Sequence, residues 1–300
     1  MIVLPDGMCE YNAFDSNHVV GVSGFDSSEP ALTVLLLNLM PEKQVTEQCI
    51  IDMLQGYGKH VRLIPMKISG QTYKTTSNEY MQRYYTDFEN LSDGFYDGLI
   101  VTGAPLEQIS YEDVRYWKQL CGIMDWATEH VCSTLYICWA AQAALYHHYG
   151  ITKHALSDKR FGIYDFDIQL RSCLLPNAGV SMKMPLSCHT AVRLPDVEAC
   201  KDLRILTANE QFGVGIVFSE EKSCVYVIGH LEYPAKRLDF EYRRDLSKGL
   251  RILPPENYYA STEDMNSEVL FSWNHDALCF YHAWLDSCLR TSHPKYLAVT

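Results

Sequence analysis

The chain has 300 residues, of which 47% are hydrophobic and 21% charged, and its formal net charge is −12. That mixture allows a sizeable core in one large α/β domain or two small ones. An acidic surface argues against nucleic acid or an anionic membrane as the main partner, but leaves room for a local basic pocket that holds a phosphorylated co-substrate.

Residues 1 to 30 carry no strong period and read as an irregular arm. Their start, MIVLPDGMCEYNAF, lacks the basic segment and apolar stretch of a secretion signal. Thr33 to Leu39 is a nearly continuous apolar run suited to a strand buried on both faces. After Pro41, the stretch EKQVTEQCIIDMLQ predicts an amphipathic helix with Val45, Cys49 and Met53 on its inner side. Val61 to Pro65 is a second short strand, and Ser77 to Leu91 is predicted to be helical. Tyr96 to Thr102 is a third buried strand, ending in Gly103-Ala104-Pro105. A helix is expected over Tyr111 to His130, a strand over Ser133 to Ile137, and a helix from Cys138 to Tyr149 with no linker between them.

Strand and helix alternate in this rhythm when a parallel sheet is wrapped by helices. The second half is more strand-like. Phe161 to Leu170 alternates weakly, and Ile216 to Phe218 pairs with Cys224 to Ile228 around a polar turn. Pro234 to Leu250 is predicted to be a charged helix closed by Gly249, and Ala277 to Leu289 a last amphipathic one. No repeat, low-complexity tract or linker divides the chain, so a single domain over 1 to 300 is expected. No apolar run is long enough to span a bilayer. The 11 cysteines are odd in number and form no CxxC pair, which fits neither a disulfide framework nor a zinc site of familiar spacing. They read as small buried hydrophobes in a reducing, cytoplasmic setting.

One junction stands apart. In STLYICWAAQAALYHHYG a buried strand runs straight into a helix, with Cys138 between them. A nucleophile at such a turn projects above the carboxyl edge of the sheet, and the free N–H groups of the helix favour its thiolate. The backbone N–H of Trp139 is placed to hold a developing oxyanion. A thiolate needs a base and a group that orients it. The run CVYVIG leads to His230, and Glu232 two residues later can fix the imidazole tautomer. The plain alternatives are a space-filling cysteine and a surface histidine.

These segments resemble the homoserine O-acyltransferases, the family of homoserine transsuccinylase. The likeness runs from about residue 33 to about 290 through LNLMPEKQVTEQ, FYDGLIVTGAPLEQISYEDVRYW, STLYICWAAQAALYHHYGI, GHLEY, RRDLSKGL and PENYY. It implies a fold similar to class I glutamine amidotransferases, a flavodoxin-like three-layer arrangement with a mostly parallel central sheet flanked by helices. It also implies an acyl-thioester on Cys138, His230 as proton acceptor and Glu232 as third member of the triad. Substrate contacts are implied for Lys159, Ser187 and Arg244, where cations suit an amino-acid carboxylate.

In this family a glutamate after GAPx, here Glu107, goes with acetyl-CoA, and a glycine with succinyl-CoA; a carboxylate there repels a succinyl group. The activity implied is acetyl transfer to L-homoserine for methionine synthesis, with acyl-CoA as co-substrate and no bound cofactor or metal. The partners are small molecules, and a homodimer is possible. Departures from the family pattern surround the acceptor. The usual MPKK is Met40-Pro41-Glu42-Lys43, the usual PHSR is Pro185-Leu186-Ser187-Cys188, and the usual HPEY is His230-Leu231-Glu232-Tyr233. Near the end, the usual WRSHANLL gives way to WNHDALCF from Trp273. Serine as acceptor, succinyl-CoA as donor, glutamine hydrolysis and a non-catalytic binding role are the competing readings. Tyr136 and Ala140 speak against glutamine hydrolysis, because amidotransferases usually carry glycine at both positions.

Overall fold

The computed structural model of the protein describes residues 1–12, 18–26, 31–177, 179–261 and 263–289. In chain order the strands are β1 (Ile2–Leu4), β2 (Val19–Gly21), β3 (Ala31–Leu37), β4 (His60–Lys67), β5 (Thr86–Asp87), β6 (Tyr96–Val101), β7 (Val131–Ile137), β8 (His154–Ile168), β9 (Ser181–Ala191), β10 (Arg204–Asn209), β11 (Gly213–Ser219) and β12 (Cys224–Val227). The helices are α1 (Met8–Asn12), α2 (Lys43–Leu54), α3 (Asn78–Tyr84), α4 (Trp117–His130), α5 (Trp139–Tyr149), α6 (Leu194–Glu198), α7 (Arg237–Ser247) and α8 (Asn274–Ser287).

All the strands join one sheet in the order β2-β1-β4-β3-β6-β7-β12-β11-β10-β8-β9, with β5 added beside β4. From β2 to β12 neighbouring strands are parallel; from β12 to β9 they are antiparallel. This is the expected mostly parallel α/β sheet, with an antiparallel extension on one side. Every residue of β6 and β7 is buried, as central parallel strands covered on both faces require. Alternate residues feed two apolar layers. Val34, Leu36, Ile100 and Leu135 face the α2 and α8 side, and Leu35, Leu37, Leu99 and Tyr136 face the α4 and α5 side.

Several expectations are corrected. Among the described residues of the first 30, part is regular rather than an irregular arm: β1 pairs with both β2 and β4, and Ile2, Val3 and Leu4 are fully buried. Three residues are too few to establish a period, so the strand had no signature. The helix expected over Ser77 to Leu91 ends at Tyr84, and the chain turns extended at Tyr85 to add β5 to the sheet. Tyr85 is drawn inward because its hydroxyl donates to the buried Glu47 carboxylate. The helix expected from Tyr111 begins only at Trp117, after a short 3-10 turn over Tyr111–Asp113. On α2, Val45 faces solvent while Lys43 and Glu47 are buried. Among the cysteines, Cys173 is exposed, and Cys121, Cys200 and Cys279 are half-buried.

Strands β9 and β10 had no counterpart in the sequence reading. Pro185 lies within β9, opposite Ile163, and proline is tolerated there because β9 is the last strand of the sheet.

Candidate active site

The carboxyl ends of the parallel strands β3, β6, β7 and β12 lie along one edge of the sheet, where open α/β sheets place their ligands. The loops from these ends, the β8–β9 hairpin and α7 enclose a cavity of about 650 Å³. Cys138, His230, Glu107, Lys159, Ser187 and Arg244 all line it, so one space collects residues spread over 138 positions of sequence.

Cys138 is the cap residue between β7 and α5. Its backbone takes φ 52° and ψ −117°, a left-handed conformation that costs a non-glycine residue about 1–3 kcal/mol. Two hydrogen bonds hold it there: its N–H donates to Val227 O at 2.7 Å, and its carbonyl accepts from Gln142 N–H at 3.1 Å. The next N–H, that of Trp139, opens the first turn of α5 and has no intrahelical acceptor, as expected for a donor to an oxyanion. The Trp139 side chain itself is fully buried.

His230 follows β12 and is anchored by its N–H, which donates to Pro185 O at 2.9 Å. Its Nδ1 donates to Glu232 Oε1 at 2.7 Å, and its ring lies beside the Cys138 side chain. Cys138, His230 and Glu232 thus form one connected relay, buried throughout. Gly103 makes room for it: a Cβ at that position would lie 3.3 Å from Cys138 Cβ and 3.7 Å from His230 Cε1. Burial pushes the Cys138 thiol up, which His230 only partly offsets, so the helix N-terminus does not by itself make a free thiolate. Burial also opposes charge on His230, but Cys138 and Glu232 outweigh it and hold the imidazole well above its usual range. Glu232 acts in that direction whatever the state of the sulfur. The two side chains are therefore coupled: a negative charge on the sulfur and a positive charge on the imidazole stabilise each other.

A second network, not anticipated from sequence, surrounds Glu241. Its carboxylate accepts from Ser187 Oγ at 2.6 Å, Tyr233 Oη at 2.9 Å and Arg237 Nε at 3.1 Å. Tyr233 in turn stacks on the His230 ring, with centroids 4.1 Å apart. Lys159 Nζ lies 3.9 Å from Glu241 and 3.7 Å from Asp245, and Arg244 Nε donates to Asp245 at 2.8 Å. Burial works against the Glu241 charge, but Ser187, Arg237, Lys159 and His230 hold its carboxyl below the ordinary range. Arg237 also reaches Glu42 at 3.5 Å, at the position where the family usually has lysine. Glu107 accepts from the His189 N–H at 3.0 Å, which fixes its carboxylate in the cavity wall. Arg237, Glu241 and Asp245 repeat every four residues on α7, a spacing that sets them on one face of the helix.

The sequence model of the family described as homoserine O-succinyltransferase matches residues 1–295. The homoserine O-acetyltransferase of Bacteroides fragilis is 42% identical over 261 residues, covering 85% of this chain and 84% of that protein. That of Brevibacillus brevis is 39% identical over 256 residues, covering 85% and 83%. Among solved structures, a glutamine amidotransferase from Thermotoga maritima aligns with TM-score 0.52 at 12% identity, over 87% of this chain and 98% of that one. A putative GMP synthase subunit from Thermoplasma acidophilum aligns with the same score and identity, over 86% and 94%. These two share the fold, which is class I glutamine amidotransferase-like. The match over nearly the whole length, with relatives this similar, shows the family: the chain is an acyltransferase and belongs to the homoserine O-succinyltransferase family.

Proposed function

We propose that this enzyme transfers an acetyl group from acetyl-CoA, through a thioester on Cys138, to the hydroxyl of L-homoserine. The observation that carries the reading is the buried Cys138–His230–Glu232 relay at the floor of a cavity whose wall presents the Glu107 carboxylate. In the first half-reaction the Cys138 thiolate attacks the thioester carbonyl and coenzyme A leaves with the imidazolium proton. In the second, His230 takes the proton of the acceptor hydroxyl as that oxygen attacks the acetyl-enzyme. Glu232 orients the imidazole and offsets its charge, and the Trp139 N–H stabilises both tetrahedral intermediates. Lys159 and Arg244 offer positive charge to the acceptor carboxylate, and Ser187 positions it.

Glu107 favours acetyl over succinyl, because a second carboxylate beside one fixed by a backbone N–H is repelled. The relatives that carry the name homoserine O-acetyltransferase support the same donor and acceptor. A cytoplasmic setting and a homodimer, both implied by the family, complete the reading; among the described residues no helix is long and apolar enough to cross a membrane.

The test is mass spectrometry of the protein mixed with acetyl-CoA or succinyl-CoA, without acceptor. Cys138 gains one acetyl group, slowly or not at all a succinyl group, and loses it on addition of homoserine. Cys138→Ala folds and gains nothing. Serine belongs in the same assay, because Leu186, Cys188 and Leu231, which depart from the family pattern, are chain neighbours of the cavity residues Ser187 and His230. An unmodified Cys138 overturns the proposal.

A further inference from the structure

Away from the cavity, the last turn of α5 lies against α4 and gathers a different set of groups. His147 Nε2 stands 2.7 Å from Asp125 Oδ1 on α4. One ligand atom from each of Asp125, His147 and His148 lies within 4.8 Å of the other two. His148 Nε2 is buried and has no hydrogen-bond partner among the described residues. Its Nδ1 lies 2.9 Å from the Tyr226 hydroxyl on β12, which fixes the ring. A buried imidazole nitrogen left unpaired costs about 1–3 kcal/mol unless something fills its position.

We propose that Asp125, His147 and His148 form a binding site for one divalent transition-metal ion of the zinc type, joining α4 to α5. Two imidazoles and a carboxylate suit Zn²⁺, Ni²⁺ or Cu²⁺ better than Mg²⁺ or Ca²⁺, which prefer all-oxygen sets. Three protein ligands leave a position for water. The Tyr226 hydroxyl supplies the outer hydrogen bond that metal-ligating histidines almost always make. The ion replaces the hydrogen bond between His147 and Asp125. The His147 proton moves from Nε2 to Nδ1 by exchange with water, and the ring stays neutral.

The site is separate from the acyl-transfer chemistry. His148 lies ten residue steps beyond Cys138, about 15 Å along α5. Its role is to staple α4 and α5 to each other and, through Tyr226, to β12, which leads to His230. Bound metal then adds directly to the stability of the fold.

The experiment is titration of chelator-treated full-length protein with Zn²⁺ by calorimetry and with Co²⁺ by visible absorption, together with thermal melting. One equivalent binds, the Co²⁺ spectrum shows nitrogen and oxygen ligation, and Tm rises. His147→Ala and Asp125→Asn each weaken binding at least tenfold and abolish the rise in Tm, while acyl transfer stays unchanged. Tyr226→Phe, which keeps all three ligands, weakens binding by about 10–100-fold. Unaltered affinity in His147→Ala overturns the proposal. So does a thiolate-to-cobalt charge-transfer band, which would assign the ion to the cysteines, and so does an absence of binding.

Discussion

Cys138 is held in a conformation that its side chain disfavours, and in the proposed relay its sulfur is served by an imidazole that is hydrogen-bonded to Glu232. Removing only that balance is a sharper test than removing the nucleophile. Glu232→Gln keeps the side-chain shape but loses the anion that stabilises imidazolium in both half-reactions. We expect kcat to fall about 10²–10⁴-fold with KM little changed, measured by release of free coenzyme A under steady-state conditions. A fall of less than threefold removes Glu232 from the relay. At this scale the sequence was informative. A cysteine squeezed between strand and helix has few structural reasons to be there, and HxE after a strand gave the rest. The stacked Tyr233 was not legible, because ring contact depends on how the chain turns after His230.

Helix α7 turns three charged residues inward and leaves two large apolar ones outside, against the usual rule for a surface helix. Glu241, Asp245 and Arg237 are buried, whereas Phe240 and Leu246 are about half exposed. The rule that charge faces water fails here because the helix lines a site for a charged substrate, and this is why the Glu241 network escaped the sequence reading. Its energetics are testable. The Glu241 carboxyl lies below its ordinary range in the folded protein, so the unfolded chain binds more protons as pH falls through that range. The stability it contributes is therefore complete above the ordinary carboxylate pKa and lost as pH falls through the folded value. Glu241→Gln should cost about 3 kcal/mol near neutral pH, because it leaves the buried Arg237 with only the more distant, exposed Glu42 as a carboxylate partner. It should also flatten the loss of stability below about pH 5. Urea melts of both proteins across pH check both effects, and parallel curves would refute the second.

Across the whole molecule, the parallel and antiparallel parts of the sheet meet at β12. Gly229, just beyond β12, sets how closely β9 can approach. A Cβ there would lie 2.4 Å from Met184 Cγ and 2.6 Å from Pro185 O, the same carbonyl that anchors the His230 N–H. Gly229→Ala must push the two parts apart. We expect about 1–3 kcal/mol of destabilisation and a loss of acyl transfer of at least tenfold at temperatures where the protein remains folded. Circular dichroism with kinetics on the same sample separates the two effects, and a folded, fully active variant would show that the junction is slack. The parallel part was plain in the sequence because buried central strands are unbroken apolar runs. The antiparallel part was faint: β9 mixes lysine, proline, serine and histidine, since one of its faces lines the cavity rather than the core.

That junction divides labour between two regions of the chain. Cys138, His230 and Glu232 hang from the ends of parallel strands, whereas Lys159, Ser187 and His189 ride on the hairpin. A lineage can therefore rewrite the hairpin, exchanging one acceptor alcohol for another, while the bond-making apparatus is inherited untouched. The departures at Leu186 and Cys188 lie on the part that such tinkering would alter first.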